Sequence, residues 1–138
     1  MERVCFQLQV RPELIASYVE RHEAVWPEML QAIADAGRRN YSLFLRDDGM
    51  LIGYYETDDD AAARAYLAAS PVASAWEAEM APFFLGLDGR PDQAATALTE
   101  VVHLAEQLAA VSDPASTPSD QPADTESSAS APTESTRP

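Results

Sequence analysis

The sequence predicts an α+β domain of ferredoxin-like βαββαβ type with a four-stranded antiparallel sheet, and three observations carry that prediction. RVCFQLQV alternates apolar and polar residues with the period of a strand. Apolar residues then recur at helical spacing from Pro12 toward Gly37, and NYSLFLR and MLIGYYE are separated by DDG, a hairpin signal because Asp and Gly tolerate positive φ.

In the first strand, Val4, Phe6, Leu8 and Val10 share one face, opposite Cys5, Gln7 and Gln9. Pro12 suits a first helical position, and Leu14, Ile15, Tyr18, Val19, His22 and Trp26 follow at steps of one to four. A residue that precedes proline is pushed out of the α region, so Trp26 marks a bend and Pro27 opens a second helical segment that ends at Gly37. The runs flanking DDG are strands two and three. DDDAAARAYLAAS begins with capping carboxylates, and SPVASAWEAEM begins with Ser70 as N-cap and Pro71 as the first helical residue. LTEVVHLA is expected as the fourth strand, with His103 packed in it between Val102 and Leu104.

This order leaves one sheet face uncovered, and because Cys5 and Gln7 leave that face uncharged, a homodimer is expected to cover it. The folded domain is read as residues 1–108. From Ala109 the composition narrows to Ser, Thr, Pro, Ala, Asp and Glu, and such a tail, 109–138, is expected to stay disordered because it has too little apolar surface to offset its ordering entropy.

A net charge of −14 over 138 residues disfavours nucleic acid and anionic membranes. No run reaches the roughly eighteen apolar residues of a membrane span, and MERVCFQLQV has neither a basic n-region nor an apolar h-region. Cys5 is the only cysteine, which suits a reduced compartment, so a cytoplasmic protein is expected. Neither a metal site nor a cofactor is expected, since the chain lacks clustered ligands, GxGxxG, GxxxxGK[ST] and GxSxG.

The chemistry concentrates in YVERHEAVWPE, Tyr18 to Glu28. Tyr18 and His22 stand one helical turn apart on the same line. By pattern alone these are core aromatics beside a satisfied histidine. Asn40 and Tyr41 at the start of strand two, and Trp76 on a later helix, can converge on them. Together the set suits a neutral polyol: aromatic faces for the C–H side of a sugar, phenols and amides for its hydroxyls, and an imidazole to move protons near neutrality.

These residues resemble the L-rhamnose mutarotases. The resemblance rests on FQLQV, on YVERHEAVWPEM with its Tyr, Arg-His and Trp-Pro-Glu order, on NYSLFL, on the Trp76 helix and on EVVHL, and it spans about residues 1 to 105. It implies a dimeric α/β-barrel type of ferredoxin-like fold and interconversion of the α and β anomers of a monosaccharide, L-rhamnose or a closely related deoxy-sugar. It further implies that His22 is the proton donor and that Tyr18, Tyr41 and Trp76 bind the sugar. The family pairs two tryptophans on the late helix; this chain has Trp76 followed by Glu77, a residue expected to face solvent.

Mutarotation needs a proton removed from the anomeric hydroxyl and one delivered to the ring oxygen. His22 is the expected acid at the ring oxygen; Tyr18, Tyr41, Glu28 or a bound water are the candidates for the base. Trp76 is expected to act as a stacking platform whose ring can be removed while sparing the fold. Two other classes compete: an oxygenase or isomerase on the same dimeric fold with a mainly apolar pocket, and a non-catalytic sugar-binding module.

Overall fold

A computed structural model describes residues 1–112. The first unit, Met1–Thr99, contains β1 (Glu2–Gln9), a 3₁₀ turn (Pro12–Leu14), α1 (Ile15–His22), α2 (Pro27–Asp35), β2 (Arg38–Leu45), β3 (Met50–Thr57), α3 (Asp60–Ala69), α4 (Pro71–Met80), a 3₁₀ turn (Ala81–Phe83), α5 (Pro91–Ala94) and β4 (Thr96–Leu98). The strands form one sheet in the order β2-β3-β1-β4, every neighbour antiparallel, as βαββαβ connectivity requires.

The local signals explain the elements. At the hairpin, Gly49 has φ +96°, and a Cβ there would lie 2.2 Å from the Val10 carbonyl oxygen, so the turn admits only glycine. Asp48 braces the turn, accepting from Arg46 Nε at 2.9 Å, Arg46 Nη2 at 2.7 Å and the Met50 N–H at 3.1 Å. Asp59 caps α3 by accepting from the Ala62 N–H, and Ser70 caps α4 by accepting from the Ala73 N–H. Trp26 adopts ψ 130° ahead of Pro27, which separates α1 from α2.

The helices cover the face that carries Val4, Phe6 and Leu8, and the core gathers Val10, Tyr18, Met29, Leu51, Leu67, Trp76, Met80 and Phe84. Gly53 lies opposite Phe6, and a Cβ there would fall 2.1 Å from its ring; the glycine leaves the ring its place over the sheet. The opposite face carries Cys5, Gln7, Ile52, Tyr54 and Phe44, aligned by register.

The fourth strand differs from expectation. Only Thr96–Leu98 pairs, opposite Gln7 to Cys5, and Thr99–His103 are not strand. Most of LTEVVHLA therefore lies beyond the ladder, and His103 is not a strand residue. Leu104, Leu108 and Val111 recur at helical spacing within LAEQLAAVS, and helix propensity there prevails over the short alternation before it.

The second unit begins at Glu100, and its described part contains α6 (Leu104–Ser112). The boundary expected after Leu108 falls inside this helix, and the rest of the expected tail lies outside the described residues.

Candidate active site

One cavity, with about 760 Å³ of empty space including its open mouth, lies between the inner sheet face and the helices. Tyr18, His22, Tyr41 and Trp76, the four residues singled out from the sequence, all line it.

On α1 the one-turn spacing brings the Tyr18 and His22 rings into a stack with centroids 4.1 Å apart. His22 Nδ1 lies 2.8 Å from the Tyr18 carbonyl oxygen, which can only accept. Nδ1 therefore carries the hydrogen and Nε2 is left as the reactive nitrogen. Burial lowers the His22 pKa below the usual imidazole range, opposed by this backbone hydrogen bond, so the neutral ring is favoured. Trp76 meets the His22 ring edge-on at 5.5 Å and the Trp26 ring at 5.0 Å. Trp76 thus walls the imidazole from one side, with Trp26 packed behind it. Trp76 is only 6 % exposed, which makes it a core ring as much as a binding surface.

Tyr41 enters by a bulge. Arg38 and Arg39 pair with Thr57 and Glu56, and pairing resumes at Ser42 opposite Tyr54, so Asn40 and Tyr41 together stand against Tyr55. Asn40 takes φ 53°, which asparagine tolerates better than most residues, and its side-chain amide donates to Glu56 at 3.2 Å. The extra residue lets both Arg38 and Tyr41 line the cavity although they lie three apart. Between them sits Tyr55, with the Arg38 guanidinium 4.1 Å over its ring and the Tyr41 ring parallel at 5.8 Å. Tyr55 donates its hydroxyl to Asp60 at 2.5 Å. Arg38 is 7 % exposed, lies 3.9 Å from Asp60, and its Nε has no hydrogen-bond partner among the described residues.

Burial is the main cause that pushes all three phenols up. Tyr18 rises well above the ordinary tyrosine range, helped by Tyr41 and Glu77. Tyr41 is 36 % exposed as a residue, but desolvation at its hydroxyl, set against Arg38 and assisted by Glu77 and Asp92, pushes it up to about 12. These hydroxyls stay protonated near neutrality and are available as hydrogen-bond donors. Glu28 is exposed and does not line the cavity.

Glu77 corrects the expectation that it faces solvent. It is 7 % exposed, because Ala73, Trp76, Glu77 and Met80 form the buried stripe of α4 at positions i, i+3, i+4 and i+7. Its Oε1 accepts the Asp92 N–H at 3.0 Å. Desolvation and the Asp92 charge raise it to about 7, against that hydrogen bond and the charges of Arg90 and Arg38. The spacing alone held this signal. The segment that carries Pro91 and Asp92 into the cavity, together with Arg38, Tyr55 and Asp60, was not singled out from the sequence, since their roles depend on the bulge and on a loop without periodicity.

Among the described residues, no group of three or more His, Cys, Asp or Glu could hold a metal ion, and no helix is long and apolar enough to cross a membrane.

The chain is similar in sequence and fold to known proteins. Residues 3–104 match the family model described as L-rhamnose mutarotase. The chain is 34% identical over 107 residues to an L-rhamnose mutarotase of Jannaschia sp. (strain CCS1), covering 75% of this chain and 99% of that one. The same figures hold for an L-rhamnose mutarotase of Rhizobium meliloti (strain 1021). A crystal structure of an L-rhamnose mutarotase from Formosa agariphila superposes with a TM-score of 0.61 at 26% identity, over 75% of this chain and 99% of that one. An antibiotic biosynthesis monooxygenase shares the fold alone, with a TM-score of 0.51 at 19% identity over 74% of this chain and 100% of that one. With residues 3–104 matched by the family model and relatives aligned nearly end to end, the chain belongs to the L-rhamnose mutarotase family.

Proposed function

We infer that the cavity binds L-rhamnose or a closely related deoxy-sugar and interconverts its α and β anomers, with His22 as the proton-transfer residue. The observation that carries this reading is the His22 imidazole: stacked on Tyr18, walled by Trp76, and presenting Nε2 because Nδ1 is held by a carbonyl. Tyr18 and Tyr41 donate to sugar hydroxyls, and Trp76 offers an edge of its ring to the pyranose.

The favoured neutral state of His22 sets the sense of the step. On ring opening Nε2 takes the anomeric hydroxyl proton while the ring oxygen gains one from a second donor, and both transfers reverse on reclosure; His22, which the resemblance implies as the acid at the ring oxygen, serves in this reading as the base at C1. Rotation about C1–C2 in the open aldehyde allows closure to either anomer. General acid-base assistance of about 10² to 10⁴ suffices, because water already performs the reaction slowly.

A homodimer accords with the outer sheet face, where Phe44 is 65% exposed and Leu98 39%. A neutral sugar substrate and a single cysteine accord with a cytoplasmic setting. Saturation transfer between the two anomeric proton signals of L-rhamnose, with and without the protein, tests the activity: faster exchange supports it, and exchange at the buffer rate refutes it.

A further inference from the structure

Glu77 is the one buried acid in the cavity that the reading above leaves without a role. It follows Trp76 on α4, about 100° further round the helix, so while the indole faces His22 and Trp26 the carboxyl turns toward α5. The Asp92 N–H fixes Oε1 at 3.0 Å. Oε2 has no hydrogen-bond partner among the described residues, and Glu77 lines the cavity together with His22, Tyr18 and Tyr41. The charged and titratable groups around it are Tyr18 from α1, Arg38 and Tyr41 from β2, and Arg90 and Asp92 at the start of α5. Arg90 is committed to Asp92, its Nε and Nη2 donating at 3.0 and 2.7 Å. Arg38 lies over Tyr55 and beside Asp60. No cation within ion-pair distance belongs to Glu77 among the described residues.

We propose that Glu77 is the second proton-transfer group of the site, donating its carboxyl hydrogen to the pyranose ring oxygen while Nε2 of His22 takes the anomeric hydrogen. The inference rests on the cavity being the mutarotase site. The step balances: the electron pair of the C1–O5 bond passes to O5, which takes the Glu77 proton, and the O–H pair at C1 becomes the C=O bond as its proton passes to His22. The open aldehyde then lies between a carboxylate and an imidazolium. Reclosure reverses both transfers and leaves the enzyme as it began.

Burial accounts for the protonation states. It raises Glu77 to about 7 and lowers His22, so the cavity favours a protonated acid and a free imidazole in mildly acidic solution, where an exposed pair would be a carboxylate and an imidazolium.

The test follows anomer exchange from pH 5 to 9 for the full chain as wild type, Glu77→Gln and Glu77→Asp. Wild-type kcat is expected to fall on the alkaline side, near pH 7. Glu77→Gln keeps the volume and an acceptor for the Asp92 N–H, yet has no proton to exchange. Its kcat is expected to fall by about 10²-fold at neutral pH with KM held within about threefold, and the alkaline limb to vanish. Glu77→Asp retains the limb at a reduced rate. A Glu77→Gln variant that is native by near-ultraviolet circular dichroism and keeps both the wild-type kcat and the limb overturns the proposal. Should that variant fail to fold, the wild-type profile decides, since a kcat flat from pH 6 to 9 also overturns it. A wild type that accelerates exchange at no pH removes the assignment of the cavity itself, which is a different failure.

Discussion

Replacing Trp76 with alanine tests whether its ring is a core element or a free stacking platform. The ring is 6 % exposed and lies edge-on against His22 at 5.5 Å and Trp26 at 5.0 Å, within the same core as Met80 and Phe84. Truncating such a ring costs about 3–5 kcal/mol, a large part of the roughly 5–15 kcal/mol that holds a domain of this size together. At about 4–8 °C per kcal/mol the melting temperature should fall by about 12 to 40 °C. Thermal unfolding followed by near-ultraviolet circular dichroism reads this directly. Trp76→Phe, which keeps an aromatic ring, should recover much of the loss. A Trp76→Ala variant that melts within about 5 °C of wild type would refute the packing argument. Loss of sugar binding in that variant then reports on the fold first and on stacking second.

Two further outcomes follow from the same geometry. No described residue hydrogen-bonds the Tyr18 hydroxyl, so Tyr18→Phe should leave stability within about 0.5 kcal/mol of wild type while removing one bond to sugar, about 0.5–1.5 kcal/mol or a 2- to 13-fold rise in KM; an unchanged KM in the exchange assay would remove Tyr18 from the binding set. Phe44→Lys should convert a dimer to a monomer of 15.0 kDa by sedimentation equilibrium, and a wild type that already sediments as a monomer would remove the second copy from the account.

Much of this was legible in the sequence because it depends on local signals. The alternation in β1, the DDG hairpin, the Trp26-Pro27 break and the Ser70-Pro71 start of α4 each act within a few residues, and each appears where the pattern put it. The convergence of Tyr18 and His22 is a helical spacing, equally local. The misses are of another kind. Thr96–Leu98 becomes a strand because β1 offers an edge at Cys5–Gln7, while the more strand-like VVHL beyond it stays unpaired. Arg38 reaches the cavity through a bulge at Asn40 that the sequence marks only by one tolerant residue. Glu77 was misread by composition, although its i+4 spacing from Ala73 assigned it to the buried stripe. Residue type suggested solvent, and position on the helix decided otherwise.

The site that emerges is a hydrogen-bonding chamber built on few elements. α1 supplies the imidazole and one phenol, the bulged end of β2 supplies the second phenol and a buried guanidinium, and α4 supplies the indole and the carboxyl side by side. Tyr55 links the β2 residues through ring contacts and is itself tied to Asp60, so the far wall is held by packing and hydrogen bonds rather than by exposed ion pairs. Such a wall is screened little by salt.

His22→Gln removes the imidazole that is inferred to move the anomeric proton. With the variant shown native by near-ultraviolet circular dichroism, saturation transfer between the anomeric proton signals of L-rhamnose is compared with wild type at equal concentration. Exchange is expected to fall by about 10² or more, toward the rate in buffer alone. Exchange undiminished in a native His22→Gln protein would take the proton transfer away from His22.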